Sequence, residues 1–137
     1  MNLIEWKDDL RIGYDEIDEE HEALVRLINE SYTKVAPSKH RAEMEAFFDK
    51  VIDAVKGHFS HEETIMRERA YPDYQAHKTD HDRLLSDIAD IAGDFAAGVY
   101  DYDPDKAFGE RISAWFVNHI KTHDARLCQT LREAANA

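Results

Sequence analysis

Apolar residues recur through most of this chain at the three- and four-residue spacing that places side chains on one face of an α-helix. The first such stripe contains Ile17, Leu24, Val25, Ile28 and Tyr32. Further stripes follow at residues 44–66, 84–95 and 108–116. Residues 1–16 have no steady period, so we expect them to form an extended arm that lies over the helices.

Prolines and glycines separate these stripes and indicate where the helices end. Pro37, Pro72 and Gly98 lie between stripes, and Pro104 stands at the start of the last one. We therefore predict four helices, at about residues 18–35, 39–69, 73–97 and 104–134. Short loops between four long helices predict an all-α, up-down-up-down four-helix bundle with an N-terminal extended arm. We expect residues 1–137 to form a single domain.

The composition restricts the classes of partner. The chain has 137 residues, of which 34% are charged, and its formal net charge is -12. This acidity disfavours nucleic acid, whose phosphates attract lysine and arginine. We find no signal peptide and no apolar run of about 20 residues, so we expect no membrane insertion. The single cysteine, Cys128, excludes an internal disulfide and favours a cytoplasmic location.

Seven ionisable residues interrupt the apolar stripes where helical periodicity calls for core side chains. They are His21, His58, Glu62, His77, His81, His119 and Asp124. A single histidine on an apolar face is usually an ordinary core residue, but here every predicted helix contributes at least one of these groups. Neutral imidazole and carboxylate together are ligands of divalent iron, manganese or zinc. The sequence therefore predicts an enclosed metal centre rather than seven uncompensated buried groups.

The number of these groups indicates the kind of centre. Seven side chains are too many for one tetrahedral zinc ion, and the Glu-x-x-His and His-Glu-x-x-His motifs are both absent. Two octahedral ions fit better if Glu62 and Asp124 each bind both of them. A bridging solvent oxygen would then leave one coordination position open, where a small ligand could bind.

Four segments of the chain carry a resemblance to a known family. They are residues 17–21 (IDEEH), 58–63 (HFSHEE), 71–81, with Tyr71-Pro72 before His77 and His81, and 115–124, with Trp115-Phe116 before His119 and Asp124. In this order and at these spacings the chain resembles the hemerythrins over nearly its whole length. More narrowly, it resembles the single-domain bacterial hemerythrins.

The resemblance implies a centre of two non-haem iron ions with a bridging oxo or hydroxo group, and dioxygen as the ligand. Matched residue by residue, His77, His81 and His119 would bind one iron, whereas His21 and His58 would bind the other, which keeps the open position. We expect an apolar oxygen pocket around it, formed by Leu24, Phe59, Trp115, Phe116 and Ile120.

The expected function is reversible dioxygen binding, for oxygen storage, transport or buffering. The expected pocket walls are apolar and offer no general acid or base, so we expect a binding protein without catalytic residues rather than an enzyme. Two alternatives remain open. One is an oxygen- or iron-sensing module that acts through a partner, and the other is scavenging of peroxide or nitric oxide. The sequence does not identify a protein that would receive the oxygen.

The chain departs from the family pattern at several positions. Phe116 stands where many members have leucine, which would tighten the oxygen pocket, and Leu127 stands where an aromatic residue is common. Asp124 follows His119 by five residues, so a regular helix would turn it about 140° away from that histidine. By geometry alone His123 would face the site more naturally. We expect Asp124 to bridge from a regular helix, the alternative being a π-bulge between His119 and Asp124.

Overall fold

The computed structural model describes residues 4–35, 41–96 and 104–135. The helices are α1 (Asp15–Val35), α2 (Arg41–Glu68), α3 (Tyr74–Ala96), α4 (Pro104–His119) and α5 (Ala125–Ala135). A π-helical segment, Ile120–Asp124, joins α4 to α5. Within these residues there is no strand, and α1 packs on α2, α2 on α3, and α3 on α4. The predicted all-α four-helix bundle is confirmed, with α4, the π segment and α5 as its last helix.

Several predicted helix ends fall outside the described residues. These are the start of the second helix at residue 39, the end of the third at residue 97, and the breaks at Pro37 and Gly98. The break at Pro72 is described, because α2 ends at Glu68 and α3 begins at Tyr74.

The interior contains two apolar clusters, and the candidate metal ligands lie between them along the helices. On α1, His21 lies between Ile17 of the smaller cluster and Leu24 of the larger one. On α2, Glu62 is placed in the same way between Met66 and Phe59. The polar centre is thus sealed by apolar packing on both sides. None of the described helices has the length and apolarity needed to cross a bilayer.

The N-terminal arm is fastened to the bundle by polar contacts. The side-chain amide of Asn29 pairs with both backbone groups of Ile4, at 3.1 and 2.9 Å. The buried carboxylate of Asp18 accepts hydrogen bonds from the backbone N–H groups of Ile12 (2.7 Å) and Gly13 (3.0 Å). Gly13 adopts a positive φ of 84°, a conformation that suits glycine. The arm is therefore held against α1 at two points, Asn29 in its second half and Asp18 near its start.

The end of α2 is a Schellman-type turn. The N–H of Tyr71 bonds to the carbonyl of Met66 (2.9 Å), and the N–H of Ala70 to that of Arg67 (3.2 Å). Ala70 has a positive φ of 50°, which a side chain with a Cβ adopts at some cost. Met66 and Tyr71 are both buried in the smaller apolar cluster. This turn reverses the chain and fixes where α3 begins.

Candidate metal centre

Each helix of the bundle delivers candidate ligands to the same interior region. α1 provides His21, α2 provides His58 and Glu62, α3 provides His77 and His81, and the last helix provides His119 and Asp124. On α2 and α3 the two residues are four apart and so lie on one helix face. His58 is 7% exposed, and the other six are at most 1% exposed. The structure brings all seven predicted residues together.

The seven residues form two groups that share both carboxylates. One group consists of Glu62, His77, His81, His119 and Asp124. The other consists of His21, His58, Glu62 and Asp124. In each group, one potential donor atom from every residue lies within 4.8 Å of the others. Three histidines therefore belong to one group (the three-histidine group) and two to the other (the two-histidine group).

Glu62 directs one carboxylate oxygen to each group. Its Oε1 lies 3.0 Å from Nε2 of His81 and 3.3 Å from Nε2 of His77. Its Oε2 lies 2.8 Å from Nε2 of His58 and 3.4 Å from Nε2 of His21. The two oxygens of one side chain thus face two different sets of imidazoles.

Asp124 divides its oxygens in the same way. Its Oδ1 lies 2.9 Å from Nε2 of His77 and 3.1 Å from Nε2 of His119. Its Oδ2 lies 3.0 Å from Nε2 of His21. Both carboxylates are therefore arranged to bridge two positions, one beside each histidine group.

The arrangement of these atoms fits metal ions. Among the described residues, Nε2 of His58, His77 and His119 and Oδ1 of Asp124 have no hydrogen-bond partner. The three nitrogens lie only 2.8–3.1 Å from carboxylate oxygens. Metal–donor bonds of about 2.1 Å place neighbouring donors of an octahedral ion about 3 Å apart. Nitrogen and oxygen atoms that crowd at this distance without hydrogen-bonding geometry are what two metal positions require.

Without a metal, the cluster holds together as ion pairs. Burial lowers the pKa of the imidazoles, but the carboxylates outweigh it and raise the pKa of His21 to about 8, of His58 to about 10 and of His77 to about 9. Burial raises the pKa of Glu62 and Asp124, yet their histidine partners bring the pKa of both below the ordinary value. A cation that binds here therefore has to displace protons from histidine.

Three carboxylates outside the cluster orient three of its histidines. Glu20 accepts a hydrogen bond from Nδ1 of His58 (3.1 Å), Glu63 from Nδ1 of His81 (2.9 Å) and Asp80 from Nδ1 of His119 (2.7 Å). Because a carboxylate only accepts, each bond places the proton on Nδ1 and leaves Nε2 free to bind a metal. Sequence reasoning missed these three residues. Each directly precedes or follows a candidate ligand, but so do Glu22 and Asp82, so adjacency alone does not single them out.

The last helix does not stay regular, and our expectation of a regular helix is wrong. The π segment Ile120–Asp124 follows His119 directly, and its wider turn brings a fifth neighbour onto the same face. His119 and Asp124 therefore both reach the centre, where their side chains are 3.1 Å apart. His123 lies in neither group; its Nε2 is 3.6 Å from Asp80.

The five residues expected to line an oxygen pocket lie at different distances from the two groups. Phe116 contacts His21 edge-on, with ring centroids 6.2 Å apart, and Phe59 lies 5.9 Å from His58. Phe59 also stacks on His81 at 3.8 Å. Their role as pocket walls stays a prediction.

The other three expected wall residues are placed less directly. Trp115 is only partly buried and stacks on His119, a member of the three-histidine group. Leu24 and Ile120 are buried in the larger apolar cluster, together with Phe59 and Phe116. Trp115 therefore covers the side of the centre away from the two-histidine group.

Comparisons with known proteins agree with this geometry. Residues 12–131 match the family model described as the hemerythrin HHE cation binding domain. Bacteriohemerythrin from Stenotrophomonas maltophilia is 32% identical over 136 residues, which cover 99% of this chain and 86% of that protein. Bacteriohemerythrin from Methylococcus capsulatus is 34% identical over 107 residues, which cover 78% of this chain and 79% of that protein.

A solved structure shows the same relation. The crystal structure of wild-type hemerythrin aligns with a TM-score of 0.74 at 31% sequence identity, covering 90% of this chain and 93% of the other. With its buried histidine and carboxylate cluster, this chain belongs to the hemerythrin family.

Proposed function

We propose that this protein holds two iron ions with an oxo or hydroxo bridge and binds dioxygen reversibly, as an oxygen store, carrier or buffer. The observation that carries the proposal is the unequal division of donors around two shared carboxylates. The three-histidine group offers five protein donors, whereas the two-histidine group offers four. The second position therefore has room for a small ligand. When bound, the iron pair would supply the electrons that reversible oxygen binding requires.

The chain's own residues around the two-histidine group favour binding over turnover. The buried rings of Phe116 and Phe59 lie beside His21 and His58 and give these two histidines apolar neighbours. The carboxylate of Glu20 also contacts His58, but it does so at the outer nitrogen, Nδ1. Among the contacts that the described residues make, none directs a further proton donor at the inner face of His21 or His58. We therefore propose a binding protein rather than an enzyme.

The proposal is tested by metal analysis followed by oxygen titration. We expect two irons per chain, and one zinc per chain would contradict the proposal. The protein, reduced without air, should develop a visible absorption band when oxygen is admitted and lose it when oxygen is removed. Oxidation on first contact, with no recovery of the reduced spectrum, would contradict reversible binding, and steady consumption of added peroxide or nitric oxide would favour the scavenger. The cytoplasmic location stays a prediction.

A further inference from the structure

A third group of potential ligands lies outside the buried centre, where α1 and α2 face solvent. It consists of Glu16 and Glu20 on α1 and His61 on α2, with one donor atom from each residue within 4.8 Å of the others. Nδ1 of His61 lies 2.5 Å from Oε2 of Glu20, and Nε2 of His61 lies 3.3 Å from Oε1 of Glu16. The side chains of Glu16, Glu20 and His61 are 57%, 30% and 41% exposed. The group is therefore open to the solvent.

The chemistry of this outer group suits a divalent transition-metal ion. An imidazole and two carboxylates are ligands that Fe²⁺, Mn²⁺, Co²⁺ and Zn²⁺ all accept. The two carboxylates carry two negative charges, which a divalent cation would neutralise. Because the side chains of Glu16 and His61 are 57% and 41% exposed, small rotations of these side chains could bring the donors to the spacing of about 3 Å that metal coordination needs. With three protein ligands and water in the remaining positions, such a site would exchange its ion readily.

The outer group is joined to the buried centre through one side chain. While Oε2 of Glu20 faces His61, its Oε1 accepts the hydrogen bond from Nδ1 of His58, a candidate ligand of the two-histidine group. His58 is also the most exposed of the seven candidate ligands, at 7% against 1% or less for the others. Solvent therefore comes closest to the centre on the side where Glu16, Glu20 and His61 lie.

We propose that Glu16, Glu20 and His61 form an outer binding site for a divalent transition-metal cation, which captures Fe²⁺ at the surface before it enters the buried centre. The binding site stands on its own geometry, whereas its role in iron loading rests on the proposed function. The competing explanation is a purely structural contact, in which His61 links the two carboxylates of α1 to α2 and the group takes up no cation.

The first test measures binding of Co²⁺ to the full-length protein as purified, by calorimetry and by the visible absorption of cobalt with nitrogen ligands. Wild-type protein should bind a Co²⁺ ion that His61→Gln and Glu16→Gln bind about tenfold more weakly or worse, since each variant lacks one of three protein ligands. Glu20 is left unchanged, because it also holds His58. Glu19→Gln is the matched control, as Glu19 is an exposed acid on the same turn of α1 that lies outside the group. If His61→Gln binds Co²⁺ as tightly as Glu19→Gln, the outer site is refuted.

The second test measures the rate at which metal-free protein takes up Fe²⁺ under anaerobic conditions. We expect His61→Gln to load several-fold more slowly than Glu19→Gln and to reach the same final iron content. Equal rates would refute the loading role. If wild-type protein takes up no iron, the proposed function fails, while the cobalt comparison still decides the outer site. Circular dichroism should show that these exposed substitutions leave the helices intact.

Discussion

The substitution Asp80→Asn tests whether the carboxylates around the centre contribute to metal binding. Oδ2 of Asp80 lies 2.7 Å from Nδ1 of His119, and both groups are well shielded, with side-chain exposures of 15% and 1%. A hydrogen bond this short between a charged acceptor and a ring N–H is among the stronger ones in proteins. Asparagine keeps an acceptor oxygen, so the ring can keep its orientation, but the negative charge that makes the imidazole a better ligand is lost.

The expected magnitude follows from the loss of that one charge. Changes to such outer partners weaken metal binding by about 10- to 100-fold, equivalent to about 1.4–2.8 kcal/mol. Because asparagine retains the geometry, we expect Asp80→Asn to weaken metal binding by an amount near the lower limit of this range. Asp80→Ala should weaken it by an amount near the upper limit. Burial lowers the pKa of His119, but Asp80 is among the carboxylates that raise it. Loss of the Asp80 charge therefore also lessens the competition between protons and the metal for His119. Mildly alkaline buffer minimises that second effect.

The assay is the rate and extent of iron removal by a chelator, followed for the iron-loaded protein. Asp82→Asn is the matched control, since it makes the same chemical change two residues away on α3. Asp82 is 61% exposed and pairs only with Lys78 among the described residues. If Asp80→Asn kept its iron as well as wild-type protein and Asp82→Asn, the bond to His119 would play no part in metal affinity.

Three further predictions concern the centre and the fold. His58→Ala should abolish oxygen binding while the iron-loaded bundle stays folded, since three histidines remain in the other group. The control His123→Ala should keep oxygen binding, because His123 lies in neither group. Oxygen titration and circular dichroism compare the two variants. The metal-free protein should lose stability as the pH rises from about 6.5 to about 10, because carboxylates outweigh burial and raise the pKa of His21, His77 and His58 above the unfolded value. This contribution to stability is complete only below about 6.5. Denaturation of metal-free and iron-loaded protein at several pH values checks this, and a flat profile for the metal-free form would contradict it. Ala70→Gly should stabilise the protein by about 0.5–1 kcal/mol, since glycine relieves the positive φ at the end of α2; an unchanged or lower denaturation midpoint would contradict this.

The sequence predicted the bundle and the cluster because both depend on periodicity within single helices. A histidine or carboxylate in an apolar stripe has to face the interior, whatever its neighbours are. The i,i+4 pairs His58/Glu62 and His77/His81 then place two ligands on one face without any knowledge of the other helices. Four such faces in one bundle have only one interior to share.

The three carboxylates that accept hydrogen bonds from Nδ1 of the candidate ligands could not be recognised in this way. Glu20, Glu63 and Asp80 lie at the rim of the helix faces, and the chain contains 29 acidic residues, most of which would look the same in the sequence. Each of their bonds joins two different helices, so it depends on how those helices are rotated against each other. That rotation follows from packing of the whole core. It is not encoded in the local pattern.

The π segment, by contrast, left two signals in the sequence: the five-residue interval between His119 and Asp124, from which the π-bulge was the alternative to a regular helix, and a second one in the spacing of the apolar residues. Ile112, Phe116, Ile120, Asp124 and Cys128 are all buried and follow one another at intervals of four. In a regular helix each such step overshoots a full turn by about 40°, so four steps would rotate the last residue about 160° from the first and bring it to the opposite face. A wider turn within this stretch absorbs the excess, which is what Ile120–Asp124 provides. The interval of four between these buried residues therefore fits a helix that contains a π turn better than a regular helix, because the π turn keeps Asp124 on the face that also carries Ile112.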